Sequence, residues 1–131
     1  MGSFTDQLRA FTNKADRRVD QVVRGVVYRC GARLVITSPV ASGRFRSNWY
    51  YGLNTPDTRT TTRTNVREVN EIDGMPLKAA GHNHFITNSL PYAIPLERGH
   101  SKQAPNGMAR LTVIAFPKIV AEAVAEAREA V

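Results

Sequence analysis

The sequence predicts one α+β domain in which a long N-terminal helix and a C-terminal helix pack on a small, mostly antiparallel β-sheet. An apolar stripe at helical spacing runs through the first third of the chain, and an alanine-rich amphipathic stretch closes it. Between them lie short runs of aromatic and β-branched residues separated by turn residues, which is typical of strands. A chain of 131 residues fits a single domain, which we assign to residues 1–131.

The first helix is predicted over residues 4–36. Ser3 and Asp6 have the spacing of an N-terminal cap, and Pro39 follows the helix where a stop is expected. At 1.5 Å per residue this helix would be about 50 Å long, which exceeds what a domain of this size needs for its own core. Part of the stripe is therefore expected to pack on a partner. Its members are Phe4, Leu8, Phe11, Ala15, Val19, Val22, Val26, Cys30 and Leu34.

Three strands are predicted after the first helix. Residues 45–53 alternate between two sides, which favours a half-buried strand. Residues 84–88 and 111–116 are the second and third candidates, because both are rich in β-branched or aromatic side chains.

The remaining segments connect these elements. Residues 54–64 are rich in threonine and arginine without a large apolar side chain from Thr55 onward, and we interpret them as a loop or an extended arm. Residues 65–72 are expected to form a short helix. The last helix is predicted over 117–131, since Pro117 suits the first position of a helix.

The net charge of +7 is unevenly distributed along the chain. Residues 1–67 carry twelve basic and four acidic side chains, whereas residues 68–131 carry six basic and seven acidic ones. An arginine-rich half is a candidate for contact with nucleic acid or with an acidic protein surface. Arg59, Arg63 and Arg67 are the side chains expected to make such contacts.

Cysteine content and hydropathy indicate in which cellular compartment the chain is made. The single cysteine excludes an internal disulfide and is typical of a reducing compartment, so we expect the chain to be made in a cytoplasm. No apolar run approaches the length that spans a bilayer, and no membrane partner is expected.

Residues 89–108, SLPYAIPLERGHSKQAPNGM, contain the residues that look most like catalysts. Glu97 and His100 are close enough in sequence to act as an acid/base pair, but the cationic residues and Gly99 beside them favour ion pairing at a surface. His82 and His84 share one side of a strand, yet no further ligand follows at metal-site spacing. Motifs for a nucleotide or an activated nucleophile are absent from the sequence. We expect no catalytic residue, no metal and no cofactor.

Two segments resemble a known family. The segment 38–49, SPVASGRFRSNW, resembles the SPVDTGRFRxSW motif of tailed-phage neck proteins, also called tail-completion or minor tail proteins. Its matching residues include Pro39, Gly43, Arg44, Phe45 and Trp49. The segments TNSLPYA and LERGHSKQAP, followed by GMARLTV, are similar to the same family's NxxPYAxxLExGxSKQAPxGMxRxTV block. The resemblance covers residues 38–131.

The resemblance implies a non-enzymatic virion protein of the phage neck, a head–tail connector assembled in the host cytoplasm. It would form a homo-oligomeric ring, with a hexamer expected and a dodecamer conceivable, that joins the portal and head adaptor to the tail and lines the DNA passage. Its partners would be further copies of itself, the head adaptor, the tail terminator or tail tube proteins and, without sequence specificity, genomic DNA.

The loop is then expected to be an interface between subunits or with the tail. The residues assigned to that interface are Tyr92, Glu97, Arg98, Gly99, His100, Lys102, Gln103 and Pro105. Two alternatives remain open from the sequence. One is a tail terminator that caps the tail tube, and the other, from a different class, is a basic DNA-binding protein.

Overall fold

The computed structural model describes residues 3–99, 101–104 and 106–130, and of Ala130 only the backbone. Its helices are α1 (Phe4–Thr37), α2 (Ala93–Glu97) and α3 (Ala109–Ala130), and its strands are β1 (Trp49–Leu53) and β2 (His84–Asn88). Two single turns of 3-10 helix occupy Arg46–Asn48 and Ile72–Gly74. The long helix and the C-terminal helix pack with a small antiparallel sheet, which confirms the predicted α+β class.

α1 has nearly the predicted bounds. The Ser3 hydroxyl accepts a hydrogen bond from the Asp6 amide, and the Asp6 carboxylate accepts one from the Ser3 amide, so both ends of a capping box are present. At the other end the Ser38 backbone is extended, as expected of a residue that precedes proline. The part of α1 that is buried lies in its C-terminal half, at Val27, Gly31, Leu34 and Val35.

The sheet has two strands among the described residues, not three. β1 and β2 are antiparallel, with Trp49 opposite Asn88 and Leu53 opposite His84. The predicted third strand, 111–116, is wrong because these residues form the start of α3. The buried Thr112 and the half-buried Ala115 lie at helical spacing from the buried Ile119, and this packing outweighs the local β propensity of the segment. Pro117 consequently lies inside α3, not at its first position.

β1 begins at Trp49 because residues 46–48 form a 3-10 turn, so the predicted start at residue 45 is wrong. The strand is also covered on both sides, which contradicts the expectation of a half-buried strand. Trp49 and Tyr51 belong to the main core, whereas Tyr50 is covered by the chain that follows the strand. The Arg59 guanidinium carbon lies 5.5 Å from the centre of the Tyr50 ring. Residues 54–64 form neither helix nor strand and lie along β1 instead of projecting from it.

The helix predicted over 65–72 is absent because Asn70 pairs with β1. The Asn70 amide donates to the Trp49 carbonyl at 2.8 Å, and the Tyr51 amide donates to the Asn70 carbonyl at 2.9 Å. This single parallel bridge takes the backbone groups that a helix would have used. The first helical turn forms only afterwards, at Ile72–Gly74.

Two buried polar side chains fix the path of residues 54–66. Ser47 and Asn48 have no exposed surface. The Asn48 amide group exchanges two hydrogen bonds with the backbone of Thr61, at 2.8 and 3.0 Å. The Ser47 hydroxyl accepts from the Val66 amide at 3.0 Å. Because both side chains are fully buried, losing these bonds would leave unpaired polar groups in the interior.

α3 lies antiparallel to α1 and crosses it closely. A Cβ atom added to Gly25 would lie 3.2 Å from the Ala123 side chain, so the two backbones approach more closely here than larger residues would allow. Arg29 of α1 forms ion pairs with Glu122, at 3.6 Å, and with Glu126. The end of α3 thus lies beside residues 21–29 of α1.

The N-terminal part of α1 extends beyond α3. At 1.5 Å per residue, the 34 residues of α1 and the 22 residues of α3 differ in length by roughly 18 Å. Residues 4–17, which we call the arm, are all exposed. Part of the apolar stripe was expected not to be needed for the core of its own chain, and the arm is that part.

Gly52 tests how closely residues 54–66 pack on β1. A Cβ atom there would lie 2.8 Å from the Asp57 amide nitrogen and closer still to the Thr55 carbonyl oxygen, both backbone atoms. We expect Gly52→Ala to lower the free energy of unfolding by about 1 to 3 kcal/mol, measured by urea denaturation. Gly74→Ala is the matched control because nothing lies within 4 Å of its added Cβ, and it should change stability by less than about 0.5 kcal/mol. Equal stability of the two variants would contradict this packing.

Candidate functional site

The two motifs that resemble the neck family lie about 40 residues apart in sequence but meet in the fold. We call this region, residues 38–49, 87–99, 101–104 and 106–113, the junction. The Asn88 side-chain amide donates to the Phe45 carbonyl at 2.9 Å. The Val40 amide donates to Gln103 Oε1 at 2.9 Å. The Phe45 and Tyr92 rings lie 6.0 Å apart between centres. The motifs therefore build one continuous region.

The first motif supplies the buried side of the junction. Phe45 and Trp49 are buried and pack edge to face, with ring centres 5.8 Å apart. The Trp49 indole N–H donates to the Ser38 hydroxyl at 2.8 Å, so its polar atom is satisfied. Pro39 is also buried, whereas Arg44 is exposed. Gly43, with φ of +83°, makes the turn between them.

Glu97 has a structural task at the start of α3. Its Oε1 accepts hydrogen bonds from the Met108 and Ala109 amides, at 2.9 and 2.8 Å, and its Oε2 accepts one from the Arg110 amide at 3.0 Å. These amides are the ones that a helix leaves unpaired in its first turn. Gly107, with φ of +78°, lets the chain pass so close that an added Cβ would lie 2.5 Å from Glu97 Oε2. Glu97 is therefore a remote cap of α3.

The surroundings of Glu97 lower its pKa. Burial alone would raise the pKa, since it disfavours the charged carboxylate. The hydrogen bonds from the three backbone amides, together with the positive charge of Arg110, outweigh burial and hold the pKa below its ordinary value. The carboxylate is thus stabilised in its charged form, which suits a cap and opposes a role as a proton donor near neutral pH.

The other residues assigned to the interface lie on the outer side of the same loop. Arg98, Lys102 and Gln103 are exposed, and Tyr92 exposes 39% of its surface. Gly99 follows α2 with φ of +87°. His100 and Pro105 lie outside the described residues, so their place in the interface stays a prediction. The sequence did not predict α2, because Pro91 and Pro95 favour a loop.

The His82–Asn83–His84 sequence does not converge on a metal site. The Ala79 carbonyl can only accept, so His84 Nε2 donates to it at 2.8 Å, and Nδ1 then accepts from the Tyr51 hydroxyl at 2.7 Å. His82 is exposed and contacts the Asn54 side chain. Within the described residues, no group of three histidine, cysteine or acidic side chains is placed to hold a metal ion.

The basic side chains serve different purposes. Arg24 donates to the Met75 and Pro76 carbonyls, at 3.0 and 2.9 Å. Arg59 forms a fork-like pair with Asp57, and these hydrogen bonds lower the pKa of the Asp57 carboxyl. Arg63 and Arg67 are exposed, and in the described part of the chain neither forms an ion pair. Of the three arginines predicted to contact DNA or a partner, these two are the more accessible to a phosphate.

Two uncovered apolar surfaces lie away from the junction. On the arm, Phe4 and Phe11 expose 74% and 73% of their surface, and Leu8 exposes 50%. The second surface, which we call the groove, lies between α1, α3 and the start of β2 and has a volume of about 560 Å³. It is lined mainly by Val22, Val26, Phe85, Phe116 and Val120. The stripe in the sequence already indicated the arm, but the groove was missed because Phe116 was assigned to a strand.

No helix in the described part of the chain is both long enough and apolar enough to cross a membrane. Comparisons of the chain with protein-family models, with curated proteins and with solved structures found no match. Its function is therefore inferred from its own residues and their geometry.

The Glu97 cap predicts a stability that depends on pH. The pKa is lower in the folded chain than in the unfolded one, where it is about 4.3. The charged cap therefore contributes stability fully above that value and loses the contribution as the pH falls through the folded pKa. We expect Glu97→Gln to lower the free energy of unfolding by about 1 kcal/mol at pH 7 and by progressively less below pH 4, in urea denaturation.

The matched control for Glu97 is Glu68→Gln. Glu68 is exposed and makes no hydrogen bond or ion pair with the described residues. It should have the stability of the unmodified chain at every pH. A Glu97→Gln deficit that stays constant from pH 7 to pH 3 would contradict a charged cap.

Proposed function

We propose that this chain is a non-enzymatic structural protein of a tailed-phage neck, which joins the head to the tail as part of a ring. The observation that carries the proposal is the junction. Two separate segments that resemble motifs of that family pack against each other through Phe45–Tyr92, Val40–Gln103 and Phe45–Asn88. Motifs that jointly build one surface of a family are expected to meet in this way.

The use of Glu97 supports a structural role over an enzymatic one. Its carboxylate is occupied by three backbone amides and has a lowered pKa. A general acid or base working near neutral pH needs a pKa close to that pH and an accessible proton position. The junction offers instead an outer surface of exposed charges, Arg98 and Lys102, on a loop fixed to the body by Gln103 and Glu97.

A ring between head and tail needs one side of each subunit to recognise another protein. Exposed charges on a rigid loop set the register of such contacts and select the partner. We assign this task to the Arg98–Lys102 side of the junction. A hexamer is the expected stoichiometry, and the neighbours in the virion would be the head adaptor on one side and the tail terminator or tail tube on the other.

A nonsense codon in the gene of the encoding phage tests the function. In a host that does not suppress the codon, we expect DNA-filled heads and separate tails in electron micrographs, because the joining step would fail. Complete virions should contain the chain, as detected by mass spectrometry. Normal virions without the chain would overturn the proposal, and tails of abnormal length would indicate a tail terminator instead.

Complementation of this mutant tests the assigned surface. A plasmid copy carrying Arg98→Glu and Lys102→Glu should fold normally, since both residues are exposed, yet restore at least tenfold fewer plaques than the unmodified copy. A copy with Lys78→Glu is the matched control, because Lys78 is exposed and lies outside the junction. Equal plaque yields from the three copies would exclude this side of the loop.

Arg63 and Arg67 are exposed, and in the proposed ring they would contact the phosphates of DNA in the lumen. We expect weak binding of duplex DNA that falls steeply as salt rises, because each phosphate contact releases counterions. Arg63→Ala with Arg67→Ala should reduce the slope of log affinity against log salt by about 2, whereas Lys118→Ala should not change it. Filter binding across a salt series measures both, and no retention of DNA at low salt would remove this partner.

A further inference from the structure

The apolar face of the arm needs a cover that its own chain does not supply. Residues 3–17 are exposed throughout, so the arm has little packing to hold it beyond its last turn, where Asn13, Asp16 and Arg17 border Lys78 and Ala80. Isolated helical segments of this length are marginal in water, because most helix stability in proteins comes from packing of an apolar face. Yet α1 is continuous from Phe4 to Thr37, and the same helix carries the groove residues Val22 and Val26. A straight helix cannot fold its own first turns onto its middle.

The spacing of the stripe is symmetric about Ala15. Phe4, Leu8 and Phe11 precede Ala15 by eleven, seven and four residues, and the apolar residues that follow it lie at the same distances. These are Val19, Val22 and Val26. All seven lie within one side of α1 at 100° per residue. A second copy of α1, placed antiparallel with the two Ala15 residues opposite each other, would therefore set each arm residue against an apolar partner.

That arrangement also places each arm in the groove. Leu8 would face Val22 of the second copy, and Phe4 would face Val26. Phe116 and Val120 form one wall of the groove, and Phe85 lies on the other side. Phe116 exposes 45% of its surface, so this wall is itself uncovered. The arm thus has the apolar character that suits a groove that no described part of its own chain fills.

The area is sufficient for a stable contact. Each phenylalanine can remove about 150 Å² from water when buried from its present exposure, so the four phenylalanines of two arms contribute on the order of 600 Å². The surfaces opposite lose area as well, because Val19 and Phe116 expose 53% and 45% of theirs. With them the contact approaches about 1,200 Å², the lower limit of specific interfaces.

We propose that the free protein is a two-fold dimer in which each arm lies in the groove of the other copy, antiparallel to its α1 and centred on Ala15. The contact is reciprocal, because a two-fold axis gives both copies the same surroundings. A neck ring, by contrast, has a head side and a tail side. The dimer therefore belongs to the protein before assembly, where it covers both apolar surfaces. The dimer itself does not depend on the proposed function. Only the statement that it precedes ring assembly rests on that function.

Sedimentation velocity of the purified chain tests the dimer. We expect twice the mass of the chain at micromolar concentration. Phe11→Glu should raise the dissociation constant at least about 100-fold, because each dimer would bury two carboxylates that each cost tenfold or more. Asn13→Glu adds the same charge about 200° around the helix from Phe11 and should leave the dimer intact. At a concentration low enough for Asn13→Glu to be monomeric as well, circular dichroism and the unfolding midpoint of the two variants should agree, since both positions are exposed in the single chain.

A cross-link tests the register. With the native cysteine removed by Cys30→Ser, Ala15→Cys places two thiols across the two-fold axis, close enough for a disulfide. We expect a covalent dimer after mild oxidation of Ala15→Cys and none from Asn13→Cys at the same concentration. Failure of Ala15→Cys to cross-link would overturn the register.

The outcomes are separable from those of the phage experiments. A monomer at about 100 µM, a dimer unaffected by Phe11→Glu, or a larger closed ring held by the arms would each overturn the two-fold dimer without bearing on the presence of the chain in virions. A dimer with the expected register, in a chain absent from virions, would keep this inference and remove the neck function.

Discussion

The antiparallel packing of α3 on α1 is the constraint from which the other features follow. The close approach at Gly25 and Ala123 and the ion pairs from Arg29 fix where the shorter helix lies along the longer one. Everything that α3 does not reach on α1 becomes the arm, and the space left between α1, α3 and β2 becomes the groove. Two helices of equal length would have left no arm.

Several polar side chains that suggest catalysis in the sequence form hydrogen bonds with backbone groups in the fold. Glu97 takes up the free amides of α3, His84 bridges the Tyr51 hydroxyl and the Ala79 carbonyl, and Asn48 replaces a missing backbone partner. Buried or half-buried polar groups are costly when unpaired, so a small domain with a two-stranded sheet must recruit side chains for this task. Polar residues in loops are therefore weak evidence of catalysis here.

The prediction from the sequence was best for elements with a single periodic pattern and no second pattern that favours another structure. α1 combines a capping box with a long stripe, and its bounds follow from these local features. Residues 111–116 carried two signals, since their β-branched side chains favour a strand and their spacing continues that of α3. Tertiary packing decided between them. The Glu97 cap could not be predicted, because its three donors lie eleven to thirteen residues further along and become neighbours only through the turn at Gly107.

Ser47 and Asn48 fix the path of the threonine-rich segment through its backbone, so this path does not depend on the side chains of the segment. Both side chains bond to backbone atoms of Thr61 and Val66, and none of these bonds uses a threonine side chain. The exposed side chains of Thr58, Thr60, Thr62 and Thr64, which form no hydrogen bond with the described residues, are thus free to diverge without moving the chain. Such a segment is a place where evolution can alter the surface chemistry of the protein while leaving its architecture untouched.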